Sequence, residues 1–177
     1  MGSRISTPQQ IIDFLGLEPL LFEGGYCKET YRSRSILTPD CLKNKYPDER
    51  NVSTAIFYLL TPDTCSILHR LKGDEIYHFY IGDPVELLAL GPYGKTERHI
   101  LGHEIEKSMK VQLCIKSGWW QGSRLLDGGR FALMGTTMAP GFNFNDFERG
   151  DRTRLLKEYP REAKLIEALT GKPEFNI

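Results

Sequence analysis

Ser66-Ile67-Leu68-His69-Arg70-Leu71-Lys72-Gly73-Asp74-Glu75-Ile76-Tyr77-His78-Phe79-Tyr80-Ile81-Gly82 is the stretch that decides the fold. It contains the end of one strand-like run, Thr64 to Leu68, and the whole of the next, Glu75 to Ile81, which is rich in aromatic residues. Side chains alternate across an extended strand. Glu75, Tyr77 and Phe79 therefore share one face, and Ile76, His78 and Tyr80 the other.

Outward from this stretch the pattern repeats. Val52 to Leu60, Thr64 to Leu68, Glu75 to Ile81, Val85 to Leu90, Glu97 to Leu101, Val111 to Ile115 and Arg130 to Met138 are short strand-like runs. Thr61-Pro62-Asp63, Gly82-Asp83-Pro84, Gly91-Pro92-Tyr93-Gly94 and Asp127-Gly128-Gly129 supply turn chemistry between them. Regular spacing of this kind predicts an antiparallel all-β sandwich or barrel. Tyr26 to Ser33 is a further strand candidate after the turn Glu23-Gly24-Gly25, and residues 37–51, with Pro39 and Pro47, form a loop long enough to be a flap or a cover over the barrel mouth.

Helical signals stand only at the two ends. Thr7, Pro8 and Gln10 make an N-cap, a proline at the first helical position and a capping-box partner, with Ile11, Ile12 and Leu15 at helical spacing before Gly16. After Gly150, Asp151 caps a short helix, Pro160 begins another, and Leu165, Ile166 and Leu169 line one face before Gly171. The expectation is a single domain over residues 1–177, with the barrel at roughly 20–148 and a helical extension at 151–170 packed on its outside.

Composition narrows the partners. With 177 residues one core is the default, and 23 Lys and Arg against 23 Asp and Glu leave no net field to recruit nucleic acid or an anionic membrane. Lys43, Lys45 and Arg50 sit among Asp40, Asp48 and Glu49, which makes a solvated loop rather than a nucleic-acid stripe. No run approaches the ~18 apolar residues of a membrane span. Cys27, Cys41, Cys65 and Cys114 form no C-x-x-C pair and no signal peptide is read, so reduced structural thiols and a cytoplasmic location are expected. The start, Met1-Gly2-Ser3-Arg4-Ile5-Ser6, matches the myristoylation pattern M-G-x-x-x-[ST], which a Gly-Ser cloning scar also produces.

The quoted stretch resembles the first cupin motif, G-x5-H-x-H-x3,4-E-x6-G, with His69, Glu75 and Gly82 in place and Leu71 at the second histidine. Lys116-Ser117-Gly118-Trp119-Trp120-Gln121 resembles the second, P-x-G-x2-H, with Gln121 where a histidine stands. A closer likeness runs through Glu23-Gly24-Gly25-Tyr26, His69-Arg70, Asp74-Glu75, Trp120-Gln121 and Ala139-Pro140-Gly141-Phe142. It looks like a branch of small cupins known as a domain of unknown function. The resemblance implies a mainly β jelly-roll barrel, a homodimer, and fold relatives among sugar-nucleotide epimerases, without fixing a reaction.

Alternation places Trp119, Gln121 and Ser123 on one face, so the expected cavity gathers His69, Glu75, Tyr77, Trp119, Gln121 and Ser123. His69 and Glu75 are the candidate catalytic pair, and Tyr77, Trp119, Gln121 and Ser123 the candidate ligand contacts. The family's metal site uses three His and one Glu. With one nitrogen and one carboxylate left, no cofactor is expected, a divalent ion on His69, Glu75 and Gln121 being the alternative. Four functions stay open. They are a binder of a polar metabolite such as a sugar or nucleotide derivative, an isomerase or epimerase in which His69 takes a proton and Glu75 orients it, a metal-dependent isomerase or dioxygenase, and a dimeric interaction module. His78 falls on the outer strand face, and His99 and His103, separated by a turn at Gly102, are given no role.

Overall fold

The computed structural model describes residues 7–43 and 45–171. The myristoylation pattern at Gly2 lies outside them.

Among the described residues thirteen strands carry the fold. They are β1 (Glu18–Pro19), β2 (Tyr26–Arg32), β3 (Ile36–Leu37), β4 (Arg50–Asn51), β5 (Thr54–Leu60), β6 (Cys65–Leu71), β7 (Glu75–Gly82), β8 (Val85–Leu90), β9 (Thr96–Leu101), β10 (Gln112–Ile115), β11 (Trp120–Leu125), β12 (Ala132–Met138) and β13 (Phe147–Arg149). A six-stranded sheet in the order β1-β2-β5-β12-β7-β10 faces a five-stranded one in the order β13-β6-β11-β8-β9, with every pair antiparallel, and β3 and β4 form a separate ribbon. This is the jelly-roll architecture expected from the sequence. The sequence-level runs lack the short strands β1, β3, β4 and β13 and one longer strand, β11, because Gln121-Gly122-Ser123-Arg124 breaks the apolar signature although Trp120, Gln121, Gly122 and Ser123 are all buried.

The barrel core lies between the sheets and includes Tyr58, Leu60, Tyr77, Phe79, Leu87, Ala89 and Met134. The alternation read along β7 is realised, since Glu75, Tyr77 and Phe79 are buried while Ile76 and His78 lie on the other side at intermediate exposure, and β6 and β7, consecutive in the chain, lie in different sheets. Each sheet is also covered from outside. Helix α1 (Pro8–Leu15), with the Thr7/Gln10 capping box and Gly16 in the left-handed region at φ 61°, sets Ile11 against Leu59 and Leu133 of the six-stranded sheet. On the five-stranded sheet, α2 (Arg152–Glu158), capped by the Asp151 side chain on the Arg154 amide at 2.8 Å, and α3 (Ala163–Ala168) bury Leu155, Leu165 and Ile166 against Leu68, Leu88 and Trp120. Among the described residues no helix is long and apolar enough to cross a membrane.

The loop over residues 37–51 is anchored. Arg50, 2% exposed, gives both Nε and Nη2 to the Asp146 carboxylate at 3.0 and 2.9 Å and Nη1 to the Asp48 and Glu49 carbonyls, and it lies against the ring of buried Tyr46. A paired guanidinium at this depth ties the loop to the chain around Asp146.

Candidate functional site

The six-stranded sheet opens on a cavity of about 250 Å³ inside the barrel mouth. Its walls are apolar, with Leu20, Phe22, Ile56, Leu71, Met138 and Phe142, and its polar lining is Glu23, Glu29, Arg32, Thr54, Glu75 and Thr136. Ring packing fixes the rim, since Phe22 lies parallel to Phe142 at 6.5 Å and meets Phe144 and Phe147 edge-on at 4.9 and 5.0 Å.

Strand geometry puts these groups there. Cys27 and Glu29 face inward from β2 two residues apart, and a bulge between Glu29 and Tyr31 turns Arg32 to the same side, opposite Thr54. Arg32 then grips Glu29 through Nε and Nη2 at 2.9 and 2.6 Å and reaches Asn51 Oδ1 and the Phe142 carbonyl with Nη1 at 2.8 and 3.2 Å. Glu23 comes from the turn before β2. The Ser66 hydroxyl donates to it at 2.8 Å, and the Ile67 amide donates to its backbone carbonyl at 2.9 Å.

Behind this wall runs a buried relay. His69 on β6 and Gln121 on β11 are cross-strand partners, each 1% exposed. His69 Nδ1 lies 2.8 Å from the Ile67 carbonyl, which accepts only, so Nδ1 carries the proton and Nε2 presents a lone pair in the neutral ring. Gln121 Nε2 stands 3.4 Å from that lone pair and 2.5 Å from Glu75 Oε2. Both neighbours demand a donor. The amide therefore points its NH2 at them, and Gln121 Oε1 is left buried without a partner. Glu23 Oε2 lies 3.9 Å from His69 Nε2. Burial first, and the charge of Glu23 next, push the Glu75 carboxyl above its ordinary range, against the opposing pull of His69 and the hydrogen bonds from Thr136 and Gln121. The Tyr77 phenol is driven well above its usual value by burial and then by Glu75, so it stays protonated.

The site thus differs in several respects from the sequence expectation. Glu75 lines the cavity, whereas His69 sits behind it, stacked on Phe147 at 5.1 Å, so the carboxylate and not the imidazole meets the contents. Tyr77 is in the core and outside the cavity lining. Ser123 is fully buried beside Ser66 with an unpartnered hydroxyl, and it too is outside the lining. Trp119 is outside the cavity lining, packed on Gly91 and under Lys95 Nζ at 5.1 Å, because its strand begins only at Trp120. His78 lies on the outer face, 3.2 Å from Thr137 Oγ1, while His99 pairs with Glu97 and His103 with the Tyr80 carbonyl. Glu23, Glu29, Arg32, Phe22, Phe142 and Thr136 are the site residues that alternation along the two motif strands does not reach.

A cupin metal is tested by these donors. Among the described residues no group of three or more His, Cys, Asp or Glu converges on a point. Of the three candidate ligands, Gln121 faces the other two with its NH2, which cannot ligate a cation, and His69 Nε2 accepts from that amide. His69, Glu75 and Gln121 as arranged do not fit a divalent ion.

Comparison with known proteins gives a consistent set of likenesses. A family profile described as cupin superfamily (DUF985) matches residues 9–149. An uncharacterised protein of Saccharomyces cerevisiae is 29% identical over 132 residues, a stretch covering 70% of this chain and 66% of the yeast protein. A hypothetical protein from Leishmania major has a solved structure that aligns with a TM-score of 0.83 at 29% identity, covering 93% of this chain and 99% of that one. A Shewanella oneidensis protein aligns equally well, with a TM-score of 0.83 at 29% identity over 96% of this chain and 100% of that one.

Proposed function

Because the chain belongs to the DUF985 family of the cupin superfamily, we propose that it binds a small metabolite inside the barrel mouth, with the ligand's polar head on Glu75 and Glu23 and its body against the apolar walls. The observation that carries this reading is the cavity itself, a mostly apolar space open at the barrel mouth with Glu23 and Glu75 in its lining. That combination of apolar lining and a few fixed polar groups is the chemistry of a small-ligand site. At about 250 Å³ it falls just under the ~300 to 1,000 Å³ common for ligand pockets, so the enclosed part of the ligand is one ring or a short chain. A sugar fits that size, and a nucleotide portion would extend outside. Titration of the isotope-labelled protein with a broad metabolite panel tests the reading. Saturable movement of the Glu23, Glu75 and Thr136 amide signals is expected, and a panel that moves none of them rejects it.

A second reading, isomerisation, is favoured by the raised proton affinity of Glu75 at the cavity wall. In this reading the Glu75 carboxylate takes a proton from a hydroxyl-bearing carbon beside a carbonyl and returns it to the former carbonyl carbon, the hydroxyl proton passing to the carbonyl oxygen by way of the enediol, while Gln121 and His69 hold the carboxylate in place. Once a turned-over substrate is in hand, Glu75→Gln abolishes turnover with ligand affinity kept, and His69→Asn reduces it less. The reverse order would return the base role to His69.

A further inference from the structure

The hydrogen-bonding groups at the closed end of the cavity are unbalanced in one direction. Arg32 is the cation among its lining residues, and its guanidinium is spent on both Glu29 oxygens, Asn51 Oδ1 and the Phe142 carbonyl. The Ser66 hydroxyl is given to Glu23, the Gln121 amide protons to Glu75 and His69, and the His69 Nδ1 proton to the Ile67 carbonyl. Acceptors are left over. Glu23 and Glu75 line the cavity, whereas the unpartnered Gln121 Oε1, in a side chain only 1% exposed, lies behind them and outside the lining. Carboxylates held in a largely apolar wall are costly unless met by donors, and an occupant supplying N–H groups to Glu23 and Glu75 relieves that cost.

Charge selects among donors. With Arg32 and Glu29 neutralising one another, the lining offers no cation to Glu23 and Glu75, His69 Nε2 standing 3.9 Å from Glu23 Oε2 outside the lining. An anionic head would meet two carboxylates and no free cation, and a neutral hydroxyl would satisfy the hydrogen bonds but leave the charges. The aromatic rims of Phe22 and Phe142 and the apolar walls suit a positive group on an apolar body.

Resting on the small-ligand reading above, we propose that the cavity takes a small organic cation, a protonated amine or amidinium on an apolar body, with its N–H groups directed to Glu23 and Glu75. The test is a matched set of three probes of the same ring, benzylamine, benzyl alcohol and benzoate, titrated into the full-length protein and followed by the backbone amide signals of the cavity residues. Benzylamine is expected to move the Glu23 and Glu75 signals saturably and at least about tenfold more tightly than benzyl alcohol, with benzoate silent. Glu23→Gln and Glu75→Gln, which keep side-chain shape, should erase that preference while the remaining amide spectrum stays folded. Should either variant lose its fold, the ranking of the three probes on the wild-type protein still decides. Benzyl alcohol or benzoate binding the cavity as tightly as the amine overturns the cation and leaves the small-ligand reading standing. A preference for amine that survives both substitutions overturns the assignment to these carboxylates. Silence of all three overturns the cation, and the small-ligand reading falls with it only if the metabolite panel is silent too.

Discussion

Gln121 Nε2 lies 2.5 Å from Glu75 Oε2, so a side chain standing where the cupin pattern has a histidine serves here as a donor to the carboxylate. Removing that donor leaves Glu75 and the His69 lone pair with unmet acceptors in a dry setting. Gln121→Met, similar in volume, should therefore destabilise the protein by about 1–3 kcal/mol. Urea denaturation at neutral pH measures it. A variant as stable as the wild type would show that the contact contributes nothing.

The raised proton affinity of Glu75 has a defined sign for stability. The native state holds the Glu75 proton more tightly than the unfolded chain does, because burial and Glu23 disfavour the carboxylate. The stabilising contribution is full below the unfolded value near 4.5 and is lost as pH rises through the higher native value. Glu75→Gln, which cannot ionise, should gain stability relative to wild type as pH is raised toward neutrality, with the difference vanishing at acid pH. Parallel denaturation curves across that range check it, and a difference that is constant with pH would contradict the shift.

Arg50 and Asp146 make the deepest ion pair of the fold, with side chains 1% and 3% exposed. Removing one partner strands a charge, so Arg50→Met should cost about 3–5 kcal/mol, whereas the double substitution Arg50→Met with Asp146→Leu should recover much of the loss. Chemical denaturation of the three variants gives the coupling directly. Additive losses would mean that the two residues act independently.

Much of the fold is legible in the sequence, because a two-residue period and turn residues at regular intervals are local signals. The inward set Glu75, Tyr77 and Phe79 follows from that period alone. The site is legible only where it lies on such a strand. Glu29 and Arg32 are three residues apart and would fall on opposite faces of a regular strand, and a bulge that depends on pairing with β5 brings them together. Glu23 sits in a turn whose position is set by long-range contacts to Ser66 and Ile67. Trp119 fails in the opposite way, since alternation assumes a strand that does not begin until Trp120. Face is thus decided by local pattern, while cavity membership is decided by bulges and turns that tertiary pairing selects.

Cys27 offers a chemical probe of the same cavity. Its thiol lines the wall, and burial together with Glu23, Glu18 and Glu29 pushes its pKa to about 11. Only the thiolate is nucleophilic, so at neutral pH Cys27 should alkylate far more slowly than exposed Cys41, with the rate climbing as pH approaches that value. The acids that raise it act through their charge, so Glu23→Gln should speed the reaction at a fixed pH. An occupant of the cavity should slow it, since the sulfur then has no open side. Iodoacetamide labelling followed by peptide mass spectrometry reads both cysteines in one sample. Fast labelling of Cys27 at neutral pH would remove the acidic, enclosed environment assigned to this wall, and with it the electrostatic basis for an organic cation there.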